Sequence, residues 1–152
     1  VLEVLDNNWQ FAHDKLREAV LKAMPQAEKP VLHRRVAAAI EVVYASDPDY
    51  NELLLDHWHK GNVLDKEIQY LQLVADNLIT IKASYENAHV FLQRGLTQLP
   101  DDDPRRVPLL NLKATAFELQ SQYTQARDLA QSALQIAQVV DDREGIAASH
   151  SI

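Results

Sequence analysis

The chain contains no cysteine, which excludes disulfides and thiolate-ligated zinc and suits a reducing compartment such as the cytoplasm. Glycine is scarce too. Three glycines and six prolines in 152 residues are too few for the many tight turns of a β-sandwich or barrel. Positive charge runs short: 15 Lys and Arg against 22 Asp and Glu leave a formal charge of −7, whereas nucleic-acid binders carry a basic field. No nucleic acid is therefore expected as a direct partner. Uninterrupted apolar runs last only a few residues, and the opening VLEVLDNNWQ has neither the basic flank nor the apolar core of a signal peptide. The expectation is a soluble cytoplasmic protein with no membrane partner. The chain opens without methionine and its end, DDREGIAASHSI, reads as a helical pattern broken off, so a piece of a longer protein is expected.

What is present favours helix. Hydrophobic residues make up 47% of the chain, enough for one core, and Ala, Leu, Gln, Glu and Lys dominate. Asp6, Asn7 and Asn8 form a first break, and the alternation of Trp9 and Phe11 reads as a short extended segment. Leu16, Ala19, Val20 and Ala23 then follow helical spacing, with Asp14 as N-cap and Pro25 as terminator. A second helix is expected from Pro30 with Leu32, Val36, Ile40 and Val43 on one face. A third starts at SDPDY, capped by Asp47 with Pro48 in the first turn, and stops at KGN after Lys60.

Beyond Lys60 the sequence repeats. Asp65, Asp103 and Asp141 stand 38 residues apart, each expected to cap a helix, and the same offset relates Leu71 to Leu109, Tyr85 to Tyr123, Ala88 to Ala126 and Leu96 to Leu134. A fixed period of this size is the mark of stacked helical hairpins. Ala88 with Gly95, and Ala126 with Ala133, put small residues seven apart on one helix face, so that neighbouring helices approach closely. Asp141 and Glu144 form a D-x-x-E capping box.

Candidate chemistry is sparse. His13 beside Asp14 invites an acid–base reading, but adjacent residues diverge and no nucleophile comes with an elbow or loop, so a capping joint is the simpler account. His57 and His59, in DHWHKG, could be recruited for a hydrolase or metal-dependent enzyme. Helical residues two apart lie on opposite flanks, while a metal pair wants i and i+4, so no catalytic or metal role is assigned and Trp58 with His57 is expected to pack between helices. Asp101 to Asp103 lack the alternating ligands of a calcium loop, and His33 to Arg35 read as a solvated face. There is no phosphate-binding loop; no cofactor is expected in this stretch.

Tyr85, Ala88, Leu92, Gly95 and Pro100 resemble the second helix of a tetratricopeptide repeat, and Tyr123, Ala126 and Ala133 match in the next unit. First-helix positions match poorly, with Asp76 and Ala114 at the usual glycine. The stretches WQFAHDKLREAV, LHRRVAAAIE and LLLDHWHKGN resemble the junction between nucleotide-binding module and repeat array in signal-transduction ATPases with numerous domains, a group that includes maltose-regulator-like LuxR-type regulators and ATPase-coupled cyclases or kinases. The resemblance implies an all-α fold, a right-handed α-α superhelix of tetratricopeptide-like hairpins behind a short extended N-terminal segment. Residues 1–29 would end a winged-helix-like arm, and 30–152 would be repeats, the last truncated. It further implies a non-enzymatic protein-protein interaction and sensing module of a signalling or transcription regulator, with a nucleotide-binding domain upstream in the parent chain. DNA contact by the N-terminal arm is the alternative. By alignment to the repeat, Tyr70, Asn77, Asn111, Thr115 and Glu118 should face a groove that takes a peptide or protein. Glu67 stands where these repeats put a small residue, so an irregular first hairpin is expected.

Overall fold

The computed structural model describes residues 2–5, 8–11, 18–19, 22–44, 47–139 and 142–150. The fold is all-α apart from a hairpin at the start. Strands β1 (Leu2–Leu5) and β2 (Asn8–Phe11) pair antiparallel, Leu2 opposite Phe11 and Leu5 opposite Asn8, so the expected extended segment is a two-stranded ribbon. His13 and Asp14 lie outside the described residues, and with them the proposed joint and cap.

Among the described residues seven α-helices follow: α1 (Lys29–Tyr44), α2 (Asn51–Lys60), α3 (Leu64–Thr80), α4 (Tyr85–Gln98), α5 (Arg106–Leu119), α6 (Tyr123–Val139) and α7 (Arg143–His150). Each packs on the next, and α3 also touches α5, and α5 touches α7. That alternation places α3, α5 and α7 in one row with α4 and α6 behind them. None of the helices is long and apolar enough to cross a membrane.

Local chemistry sets the boundaries. Asp47 accepts from the Asp49 N–H at 3.0 Å and Pro48 opens a 3-10 turn, Pro48–Tyr50, that leads into α2. The KGN stop works through Asn62, whose φ of 55° is left-handed, and not through Gly61, whose φ is −77°. Gly61 serves a close approach: a Cβ there would meet Arg34 Cγ at 2.9 Å. Asp65 does not cap α3, because it sits inside the first turn, where its carboxylate instead pairs with Arg105. Asp103 does accept a backbone N–H, that of Arg105, at 2.9 Å. Asp141 lies outside the described residues; Asp142 is the residue that accepts from the Gly145 N–H, at 3.0 Å, one turn into α7. At the end of α4, Arg106 Nη1 donates to the carbonyls of Leu96 and Leu99 at 2.9 and 3.0 Å, which satisfies acceptors that the helix leaves open.

The 38-residue spacing is realised in contacts. A Cβ on Gly95 would lie 3.0 Å from Leu109 Cδ1 and 3.2 Å from both Leu71 δ-methyls, so the glycine of α4 sits between two leucines one period apart. Asn111 and Ser149, also one period apart, are joined by a 3.0 Å hydrogen bond. Ala88, Leu92, Leu71, Leu109, Ala114 and Ala133 are fully buried. Of the expected apolar face of α1, Leu32, Val36 and Ile40 are half-buried, Ile40 against the core, and only Val43 departs from it. Val43 is 68% exposed while Ala37 is buried, because α1 is held by polar bonds from His33, Arg34 and Glu41, which share the Ala37 side of the helix.

Candidate functional site

Two carboxylates organise the first half. Glu41 Oε1 accepts from Trp58 Nε1 (3.2 Å), Lys66 Nζ (3.0 Å) and Tyr70 OH (2.7 Å), tying α1 to α2 and α3. Its burial favours the neutral acid, but the bonds from Tyr70, Lys66 and Trp58 outweigh that and hold the carboxyl below its ordinary value. Burial and the same bond push the Tyr70 phenol up to about 12. Glu67, at the position expected to be small, is 3% exposed. Its Oε1 accepts from Gln98 Nε2 (3.0 Å), Arg94 Nη2 (2.8 Å) and His59 Nδ1 (3.0 Å). These bonds overcome desolvation and keep this carboxyl low as well.

The histidines separate. His57 Nδ1 meets His33 Nδ1 at 3.0 Å, across α1 and α2, while His59 turns to Glu67 on α3. A base held by a carboxylate is half of an acid–base relay, but the opening beside it is lined by His59, Asn62, Leu64, Glu67 and Gln98, none of them a nucleophile. Among the described residues, no group of three or more His, Cys, Asp or Glu is placed to hold a metal.

Two openings touch the row of first helices. Between α5 and α7 an opening of about 480 Å³ is lined by Val107, Pro108, Asn111, Thr115, Asp142 and Glu144, among others. Near the foot of α2 and α3 a second, of about 330 Å³, includes Asn77 and Lys82. Asn77, Asn111 and Thr115 thus lie on these openings. Within the first, Asn111 is 8% exposed because it accepts from Ser149, and Thr115 Oγ1 donates to the Asn111 carbonyl at 3.1 Å. Glu118 is half-buried near the end of α5, away from both linings. Tyr70 is 7% exposed and bonded to Glu41, so its phenol faces the core seam and not a groove.

On the other side, α4 and α5 flank a shallow depression of about 770 Å³ that includes Glu86, His89, Arg94, Lys113, Phe117 and Gln120. His89 packs on Phe117 with ring centroids 4.1 Å apart, and a relay runs from His89 Nε2 to Gln120 and on to Glu86. Burial lowers the Lys113 ammonium, and its Nζ donates to Gln93 at 2.6 Å. Its cations are engaged within the fold, Arg94 by Glu67 and Lys113 by Gln93.

Sequence reasoning missed Glu41, Glu67 and Arg106 as organising groups. Glu67 left a signal, a charge at a small-residue position. Glu41 left a weaker one, a carboxylate four residues after Ala37 on the packed side of its helix. No protein-family model, no curated protein and no solved structure matches this chain.

Proposed function

We propose that the chain is a non-catalytic recognition module that binds a peptide or partner segment along the row formed by α3, α5 and α7. The observation that carries this reading is the opening between α5 and α7, where Asn111 and Thr115 meet the N-terminal turn of α7. Helical hairpins stacked with their first helices side by side present such a row for extended ligands. Among the described residues, the charged groups lining it, Asp142 and Glu144, are both acidic, and neither Lys nor Arg lines it. A basic or neutral segment suits it, and a ligand held by its terminal carboxylate does not.

The reading extends to context. The resemblance of stretches between residues 9 and 62 to the junction of signal-transduction ATPases supports a place in a multidomain, cytoplasmic signalling or transcription regulator of superhelical tetratricopeptide type, next to a nucleotide-binding domain. The domain order of the full-length gene tests this. The binding reading is tested by fluorescence anisotropy with labelled Lys/Arg-rich and Asp/Glu-rich peptides. Binding of the basic peptide alone, weakened by salt and by Glu144→Lys, is expected. Equal affinity for both peptides, or for neither, overturns it.

A further inference from the structure

We propose that His33 and His57 form a two-histidine site for a divalent transition cation of the zinc or copper class, clamping α1 onto α2. The two Nδ1 atoms face each other at 3.0 Å, from helices separated by 24 residues of sequence. Two nitrogens each about 2.0–2.1 Å from one metal ion stand about 2.9 Å apart at a right angle and about 3.4 Å apart at the tetrahedral angle. The observed separation falls in that range, so the backbone already holds the bite that a chelate needs. The rings are tilted 49° to each other with centroids 5.1 Å apart, which is not a stacked pair.

Imidazole nitrogen suits zinc and copper better than calcium or magnesium. Burial, together with the Lys60 charge on both rings and the His33 charge on His57, holds the pair below the ordinary value of 6.5. Neutral imidazole is the form that ligates. In the metal-free pair one Nδ1–H donates to the other Nδ1. On binding, that proton moves to the Nε2 of its own ring through solvent, and both Nδ1 lone pairs turn to the metal with no change in ring charge. Asp56 favours a cation here and Lys60 opposes it, but the two are paired at 2.7 Å, so neither acts alone. Arg34, next to His33, is turned to the Gly61 carbonyl at 2.8 Å. Both histidines are half-buried, leaving room for water in the remaining coordination positions.

The test is isothermal titration of the whole chain with zinc chloride at pH 7.5, with thermal unfolding as a second readout. One equivalent of zinc is expected to bind, and saturating zinc should raise the melting temperature by several degrees. His33→Gln and His57→Gln should each weaken binding at least tenfold, and glutamine keeps a hydrogen-bonding side chain at the interface if alanine variants unfold. His59→Ala should bind as the parent does. Absence of saturable binding, or binding that survives His57→Gln and disappears in His59→Ala, overturns the proposal.

Discussion

The two ends of the helical stack are joined by different physics. At the N-terminal end α1 has a single buried residue, Ala37, and is held by directional bonds: the His33–His57 pair, Arg34 on the Gly61 carbonyl, and Glu41 on three donors. At the C-terminal end every buried residue of α6 is an alanine, at positions 126, 130, 133 and 137, and the helix packs on α5. Directional bonds respond to protonation and to loss of a partner; close packing responds to volume. The same stack should therefore break at different ends under different insults.

The largest effect belongs to the packed end. Leu109 is fully buried against Gly95, and Leu109→Ala should cost about 2–5 kcal/mol, since both the transfer of the side chain and the cavity count. Leu73, which is 44% exposed, should lose far less on the same truncation. Ala126→Phe should cost about 1–3 kcal/mol by overpacking. Urea unfolding midpoints check all three, and Leu73→Ala as damaging as Leu109→Ala would mean that packing does not distinguish these faces.

Glu41→Ala probes the polar end. It leaves the buried Tyr70 hydroxyl and the Trp58 N–H without their acceptor, at a cost of about 1–3 kcal/mol. Glu41→Gln keeps one acceptor oxygen and should recover much of the loss. If Glu41→Ala leaves the urea midpoint where it was, α1 is not held by this carboxylate and the contrast between the two ends disappears.

Acid should separate the ends without mutation. The folded-state values of His33, His57, Glu41 and Glu67 are all lowered. A group lowered on folding binds fewer protons folded than unfolded, so its contribution is complete above the ordinary value and is lost as pH falls through the folded one. The imidazole contribution starts to fade below 6.5 and the carboxylate contribution below 4.5, the ordinary values. Amide exchange, corrected for its intrinsic pH dependence, should quicken in α1 before α6 as pH drops from 7 to 5, and His33→Gln should remove the early phase. Simultaneous loss of protection in both helices would show one cooperative unit with no weaker end.

Much of this division was legible in the sequence, and the part that was not has a physical cause. Period and small residues report packing directly, because a Cβ on the glycine between Leu71 and Leu109 would already lie 3.0–3.2 Å from their methyls. The helix boundaries at Pro48 and Lys60 followed from turn chemistry. The groove positions were read by aligning first helices, and alignment fixes a register on the helix but not the reach of a neighbour: Tyr70 meets Glu41 and Asn111 meets Ser149 only through long-range contacts. Likewise the sequence places His57 between helices without naming what it meets, and its partner, His33, lies one helix back.

The smallest effect concerns two turns that the period makes equivalent. Ala83 follows α3 with φ of 48° and Ser121 follows α5 with φ of 61°, 38 residues later. Both are exposed, so a change there alters backbone preference and little else. An L-residue in the left-handed region carries about 1–2 kcal/mol of steric cost, which glycine avoids. Glycine also raises the entropy of the unfolded chain, which takes back about 0.4–1 kcal/mol. Ala83→Gly and Ser121→Gly should therefore each stabilise by about 0.5–1 kcal/mol, and the double variant by the sum, because the sites are independent. Asn62→Gly, at φ 55°, should gain less, since asparagine tolerates this conformation better than most residues. Chemical denaturation of the three single variants measures the order. Equal gains at 83 and 121 would mean that the two hairpins close alike, so that the difference between the ends resides in how helices face one another. A gain confined to one of them would place part of that difference in the turns.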